Sequence, residues 1–167
     1  MRMSQNLDHV DRVQAQWRAE RPEIDTSPMG IIARLHRIAD ALRGELLTLY
    51  REHGLGEGEF DILATLRRSG APFELTPSEL AQQTMVTTGA VSKRLDRLET
   101  AGLVTRRENL EDARGRVVAL TPQGRDAIDR AYEAHMQNEA RLLDHFSAAE
   151  REQLQSLLRS WSLKLEQ

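Results

Sequence analysis

The stretch Val86–Val104, VTTGAVSKRLDRLETAGLV, holds the residues best suited to chemistry with a polyanion. The cations Lys93, Arg94 and Arg97 follow closely on the hydroxyls of Thr87 and Thr88, with Ser92 between them. Ammonium and guanidinium groups suit phosphates and guanine edges; hydroxyls and free N–H groups at a helix start suit phosphates. The same charges fit an ordinary amphipathic helix whose polar face is only solvated. The neighbouring elements have to decide.

Other chemistry has little footing. The chain has no cysteine, which excludes disulfides and thiolate metal sites. His9, His36, His53, His135 and His145 show no metal-ligand spacing. No glycine-rich phosphate loop follows a strand, and no serine or carboxylate falls into a recognisable nucleophile or acid/base setting. Neither an enzyme, a metal site nor a cofactor is expected. A formal net charge of −3 argues against indiscriminate coating of nucleic acid but permits a local basic surface. The opening MRMSQNLDHVDRVQAQW lacks the apolar run of a signal peptide, and no stretch approaches the roughly 20 apolar residues of a membrane span. A soluble, cytoplasmic protein is the expectation.

The elements that must position the cations read as mostly helical. Ile31, Ile32, Leu35, Ile38, Leu42, Leu46 and Tyr50 recur every three or four positions, predicting a helix over 28–50 behind Ser27 and Pro28. A second helix spans about 59–68. TPSEL, with Thr76 as cap and Glu79 reaching back, starts a short third helix over 77–83. The opening stretch is the fourth, stopped by Gly102. LVTRRE and RVVAL then alternate like strands around the turn-forming NLEDARG, a hairpin. TPQG starts a helix over 122–145, and Ser147 with Glu150 caps a last one carrying Leu154, Leu157, Leu158, Trp161 and Leu165 on one stripe.

A short helix, a tight connection, a second helix and a two-stranded wing make a winged helix-turn-helix, whose second helix enters the major groove. With Val91 at zero and ~100° per residue, Leu95 and Leu98 fall within about 40° of it. Lys93, Asp96 and Arg97 lie opposite, toward DNA. Arg94 sits at about −60°, much nearer the apolar face. Thr87, Thr88, Ser92, Lys93, Arg97 and, in the wing, Arg114 and Arg116 are the candidate DNA-binding residues. The fold class expected is mainly α with a small β-hairpin wing, the winged helix-turn-helix being flanked by dimerisation helices.

The run from LTPSELAQQ to LTPQG resembles the central region of the MarR family of transcription regulators, through its LE.AGLV.R segment, Asp112-Ala113-Arg114 in the wing, and LTPQG. Related wings often carry a base where Ala113 stands. QWRAERPEIDTSPMGIIARL and EFDILATLRRSG further resemble the PecS/HucR-like, urate-responsive branch, whose ligand signature is matched by Trp17, Asp61, Arg94 and Arg106. The resemblance implies a pocket for urate or a similar small anion. Trp17 would stack on a flat ring, Arg94 and Arg106 would supply guanidinium donors, and Asp61 would accept ring N–H groups or hold an arginine. Each has a plainer role open to it. Trp17 can be core, Asp61 can complement a helix dipole, Arg94 can form a permanent ion pair, and Arg106 can touch a phosphate.

The reading is thus a homodimeric regulator, a repressor of a pseudo-palindromic operator in double-stranded DNA, released by a small anion. Residues 1–56 would build dimer and ligand pocket, 57–120 bind DNA, and 121–167 complete the dimer. A winged-helix adaptor for protein partners, without DNA binding, is the competing class. Salt-dependent binding to duplex DNA separates the two.

Overall fold

The computed structural model describes residues 7–84, 88–108 and 116–166. The chain forms two compact units, residues 1–48 and 49–167.

The first unit holds α1 (His9–Glu20) and most of α2 (Met29–Glu52). Asp8 caps α1, accepting from the N–H of Asp11 at 2.9 Å, while the Asp11 carboxylate accepts from the N–H of Asp8 at 3.0 Å. Arg34 of α2 donates to both acids, each at 2.7 Å, and to the Gly30 carbonyl at 2.8 Å. Buried Gln14 donates to the carbonyl of Thr26 at 2.7 Å. These bonds tie α1 onto α2. The Arg34 guanidinium, helped by the Asp11 N–H, holds the Asp8 carboxyl well below its ordinary 3.8. A carboxylate depressed on folding stabilises the fold above its unfolded pKa, and the contribution drains away as pH falls toward the folded one. With Trp161→Phe leaving Trp17 as the only fluorophore of its kind, Trp17 emission should therefore change only below about pH 4. In Arg34→Met the same change should already be present at neutral pH. A Trp17 signal insensitive to both acid and Arg34→Met would show that the bonds hold nothing in place.

The second unit runs α3 (Glu57–Arg68), β1 (Glu74–Leu75), α4 (Pro77–Gln83), α5 (Thr88–Thr100), β2 (Val104–Glu108), β3 (Arg116–Leu120), α6 (Pro122–Leu142) and α7 (Ala148–Leu165). Its core is made by Ile62, Leu63 and Leu66 of α3, Leu80 of α4, Val104 and Val118 of the strands, and Ile128 of α6, all fully buried. Buried Tyr50, at the end of α2, stacks on Phe60 at 4.2 Å, and its hydroxyl meets His135 Nδ1 at 3.3 Å. Burial first, then the charges of Glu139, Glu57 and Asp61, push this phenol up to about 12. It stays neutral at any physiological pH.

Three of the capping residues stand where the sequence places them. Thr76, Thr121 and Ser147 accept from the N–H of Glu79, Gly124 and Glu150. Gly102, at φ +71°, lets the Leu103 N–H reach the Leu98 carbonyl and its own N–H reach that of Glu99, the paired bonds of a Schellman stop.

Three details depart from the expectation. The sheet has three strands, ordered β1-β3-β2, rather than two, with Glu74 opposite Ala119 and Leu75 opposite Val118. A two-residue strand shows no alternation, so periodicity is blind to it. α3 begins two residues early, because Gly56 caps it, its N–H held by Glu59 at 2.6 Å. α6 ends at Leu142, short of His145.

Candidate nucleic-acid interface

On α5, Val91, Leu95 and Leu98 are buried while Ser92, Lys93, Asp96 and Arg97 are exposed, as the wheel requires. Lys93, Asp96, Arg97 and Thr100 border one hollow on that outer face. Arg97 is 65% exposed and reaches Glu59 of α3, Nη1 to Oε1 at 3.3 Å. Arg116 is exposed at the start of β3, opposite Glu108. Thr87 and Arg114 lie outside the described residues, and Thr88 is described only as the first residue of α5.

The wing is fastened to the reading helix by Arg106. Its Nη2 donates to Asp96 Oδ1 at 2.6 Å and to the Ser92 carbonyl at 3.4 Å, and its Nε lies 3.7 Å from Glu99 Oε2. The Arg106 N–H also donates to Glu99, at 3.1 Å. Arg106 thus orients the β2–β3 wing relative to α5.

Arg94 occupies the other flank. At ~100° per residue, Asp96 and Glu99 lie about 160° and 140° around α5 from Arg94. The structure therefore does not bring Arg94 and Arg106 to the same side of the helix. The Arg94 guanidinium lies instead over Gly58 in the first turn of α3; a β-carbon added there would sit 2.2 Å from its Cζ. Its Nη1 is buried and has no hydrogen-bond partner among the described residues. A buried cation with an unused donor is costly, and an anion arriving from solvent relieves that cost. Asp61 lies three residues on in α3, half-buried, its carbonyl accepting from Thr65 at 2.7 Å. Trp17 belongs to the first unit, on α1, with about half its surface exposed.

A MarR family model matches residues 53–115. The transcriptional regulator PecS of Dickeya dadantii is 40% identical over 156 residues, 93% of each chain. The chain belongs to the MarR family.

Solved structures agree on the fold. The MarR-family regulator Sco5413 from Streptomyces coelicolor superposes with a TM-score of 0.71 at 25% identity, over 85% of this chain and 97% of that one. A MarR variant from E. coli in complex with operator DNA matches with a TM-score of 0.64 at 27% identity, over 82% and 98%. This MarR-family member is accordingly a DNA-binding transcriptional regulator with a winged helix, and not an enzyme. Among the described residues no helix is long and apolar enough to cross a membrane.

Two participants in this surface escaped the reading of the sequence, Gly58 and Glu59. Both fall in GEGEF, where the helix was expected to begin only at Glu59. A glycine inside a helix is itself a signal, since it costs ~1 kcal/mol against alanine and usually has a packing reason.

Proposed function

We propose that this MarR-family regulator is a homodimeric repressor that a small, flat anion such as urate releases from a pseudo-palindromic operator. The observation that carries the effector is the buried, unpartnered Nη1 of Arg94, on the same helix that carries the exposed Lys93 and Arg97. One rigid element then serves both sites. An anion that binds the guanidinium moves α5, and linkage makes the operator bind less well by the same factor as the anion binds less well to the operator complex. Asp61 is assigned to the ring's N–H groups. The ion pairs of Arg106 favour a place for it in orienting the wing, with no direct part in the pocket.

Dimerisation is supported by apolar side chains left in water. Ile31, Ile32 and Ile38 of α2 and Leu157, Leu158 and Leu165 of α7 are between 42% and 77% exposed, and α7 buries none of its residues. Apolar side chains exposed along a helix in this way mark an interface. A two-fold dimer presents two reading helices to half-sites about one turn of DNA apart, ~10 bp.

The test is an operator titration with and without urate, for wild type and Arg94→Ala, beside a footprint of the free operator. Urate should weaken wild-type binding 5- to 150-fold, a coupling of about 1–3 kcal/mol, and leave Arg94→Ala unaffected. No effect on wild type removes urate; an equal effect on both proteins removes Arg94 as the sensor. A single short asymmetric footprint removes the dimer on a palindrome.

A further inference from the structure

The pair formed by Arg97 and Glu59 joins an exposed cation to an anchored acid. Glu59 is only 16% exposed, and its Oε2 is held by the Gly56 N–H at 2.6 Å at the start of α3, so it cannot swing away. Arg97 is 65% exposed on the outer face of α5, and its 3.3 Å bond to Glu59 Oε1 is long and easily surrendered. We infer that Glu59 is a specificity-determining residue, an anchored carboxylate that cancels the attraction of Arg97 for DNA phosphates and leaves this arginine useful only where a base edge receives it.

The argument is electrostatic. An unpaired arginine at a DNA surface displaces about one counterion whatever the sequence, and so strengthens binding to every duplex. Arg97 paired with Glu59 is locally neutral. When a phosphate draws Arg97 off, the carboxylate stays behind as a fixed negative charge beside the nucleic acid and repels the strand. A guanine edge offers more, because its O6 and N7 accept both arms of the guanidinium. Operator binding therefore gains from Arg97, while mixed-sequence binding gains nothing from the neutral pair as a whole. The acid also serves as a helix cap, which explains how a carboxylate can be held so rigidly near a polyanion site. This inference rests on the outer face of α5 being the DNA-reading surface.

Glu59→Gln isolates the charge, since glutamine still offers an oxygen to the Gly56 N–H, as capping boxes with either residue do. The probes are an operator duplex and a mixed-sequence duplex of equal length, titrated with the full-length protein across a range of salt. Glu59→Gln should bind the mixed duplex roughly fivefold more tightly, and its salt slope should steepen by about one unit. The operator should gain less, so the ratio between the two falls. Arg97→Gln, which leaves the cap untouched, should weaken both duplexes. The double variant, again locally neutral, should return to the wild-type mixed-sequence affinity and slope but not to wild-type operator affinity. Wild-type mixed-sequence affinity and slope in Glu59→Gln would overturn the inference, as would a double variant that fails to return. If Arg97→Gln alters neither duplex, the assignment of the DNA surface itself is wrong, which is a different failure.

Discussion

Gly124→Ala should lower stability by about 3 kcal/mol, at the upper end of what overpacking costs, and bring the melting point down by roughly 10 °C. A β-carbon on Gly124 would lie 1.9 Å from the Leu103 carbonyl oxygen and 2.8 Å from its carbon, both backbone atoms. Neither can turn aside. Thr121 makes the seat tighter still: its hydroxyl donates to the carbonyl of Gly102 at 2.7 Å and accepts from the Gly124 N–H at 2.9 Å, and its own N–H donates to the Leu103 carbonyl at 3.1 Å. The first turn of α6 therefore rests on the chain at the point where α5 hands over to β2. Alanine must lift α6 off that junction, and the wing with it, so operator affinity should fall together with stability. Thermal denaturation alongside an operator titration reads both. A variant that melts with wild type would show that the approach of α6 to Leu103 is not as close as described.

The opposite sign is expected at another crowded glycine, Gly58. Gly58→Ala should leave the fold intact, or stabilise it by about 0.5–1 kcal/mol as alanine replaces glycine inside a helix, while abolishing the 5- to 150-fold response to the anion. The atoms that a β-carbon would meet here, Cζ and Nε at 2.2 Å and Nη1 at 2.4 Å, all belong to the far end of the Arg94 side chain. A side chain can change rotamer where a backbone carbonyl cannot. The guanidinium is then expelled into solvent, where its donors are satisfied by water and it no longer rewards an anion. Operator affinity should stay within a fewfold of wild type, since Lys93 and Arg97 remain exposed on α5. The comparison needs one denaturation curve and one operator titration with and without urate. Retention of a wild-type urate response would place the effector away from Arg94, and a large loss of stability would show the first turn of α3 to be as unyielding as that of α6.

Local physics made most of the frame legible in advance. Caps act within three residues, so Thr76 with Glu79 and Ser147 with Glu150 announce α4 and α7 without any knowledge of what packs where. A left-handed residue after a helix is nearly always glycine, so Gly102 marks the end of α5. The 3.6-residue repeat sorts Val91, Leu95 and Leu98 from Lys93 and Arg97, and so identifies the outer face of that helix. It also places Arg94 near the apolar side, between the two.

What periodicity cannot supply is the identity of the partner on each side. Arg94 and Arg106 look alike as cations of one pocket, and only folding reveals that the strand beginning four residues beyond α5 turns back so that Arg106 grips Asp96 and Glu99. Arg97 looks like a free cation until α3, nearly forty residues earlier in the chain, brings Glu59 beside it. β1 is a strand through its pairing with β3, across more than forty residues. Gly58 and Gly124 carry no side chain, so a sequence shows only that something small is wanted there. Whether the atom facing the missing β-carbon is a movable guanidinium or an immovable carbonyl is decided by the tertiary structure, because it depends on how closely two backbones distant in sequence approach one another.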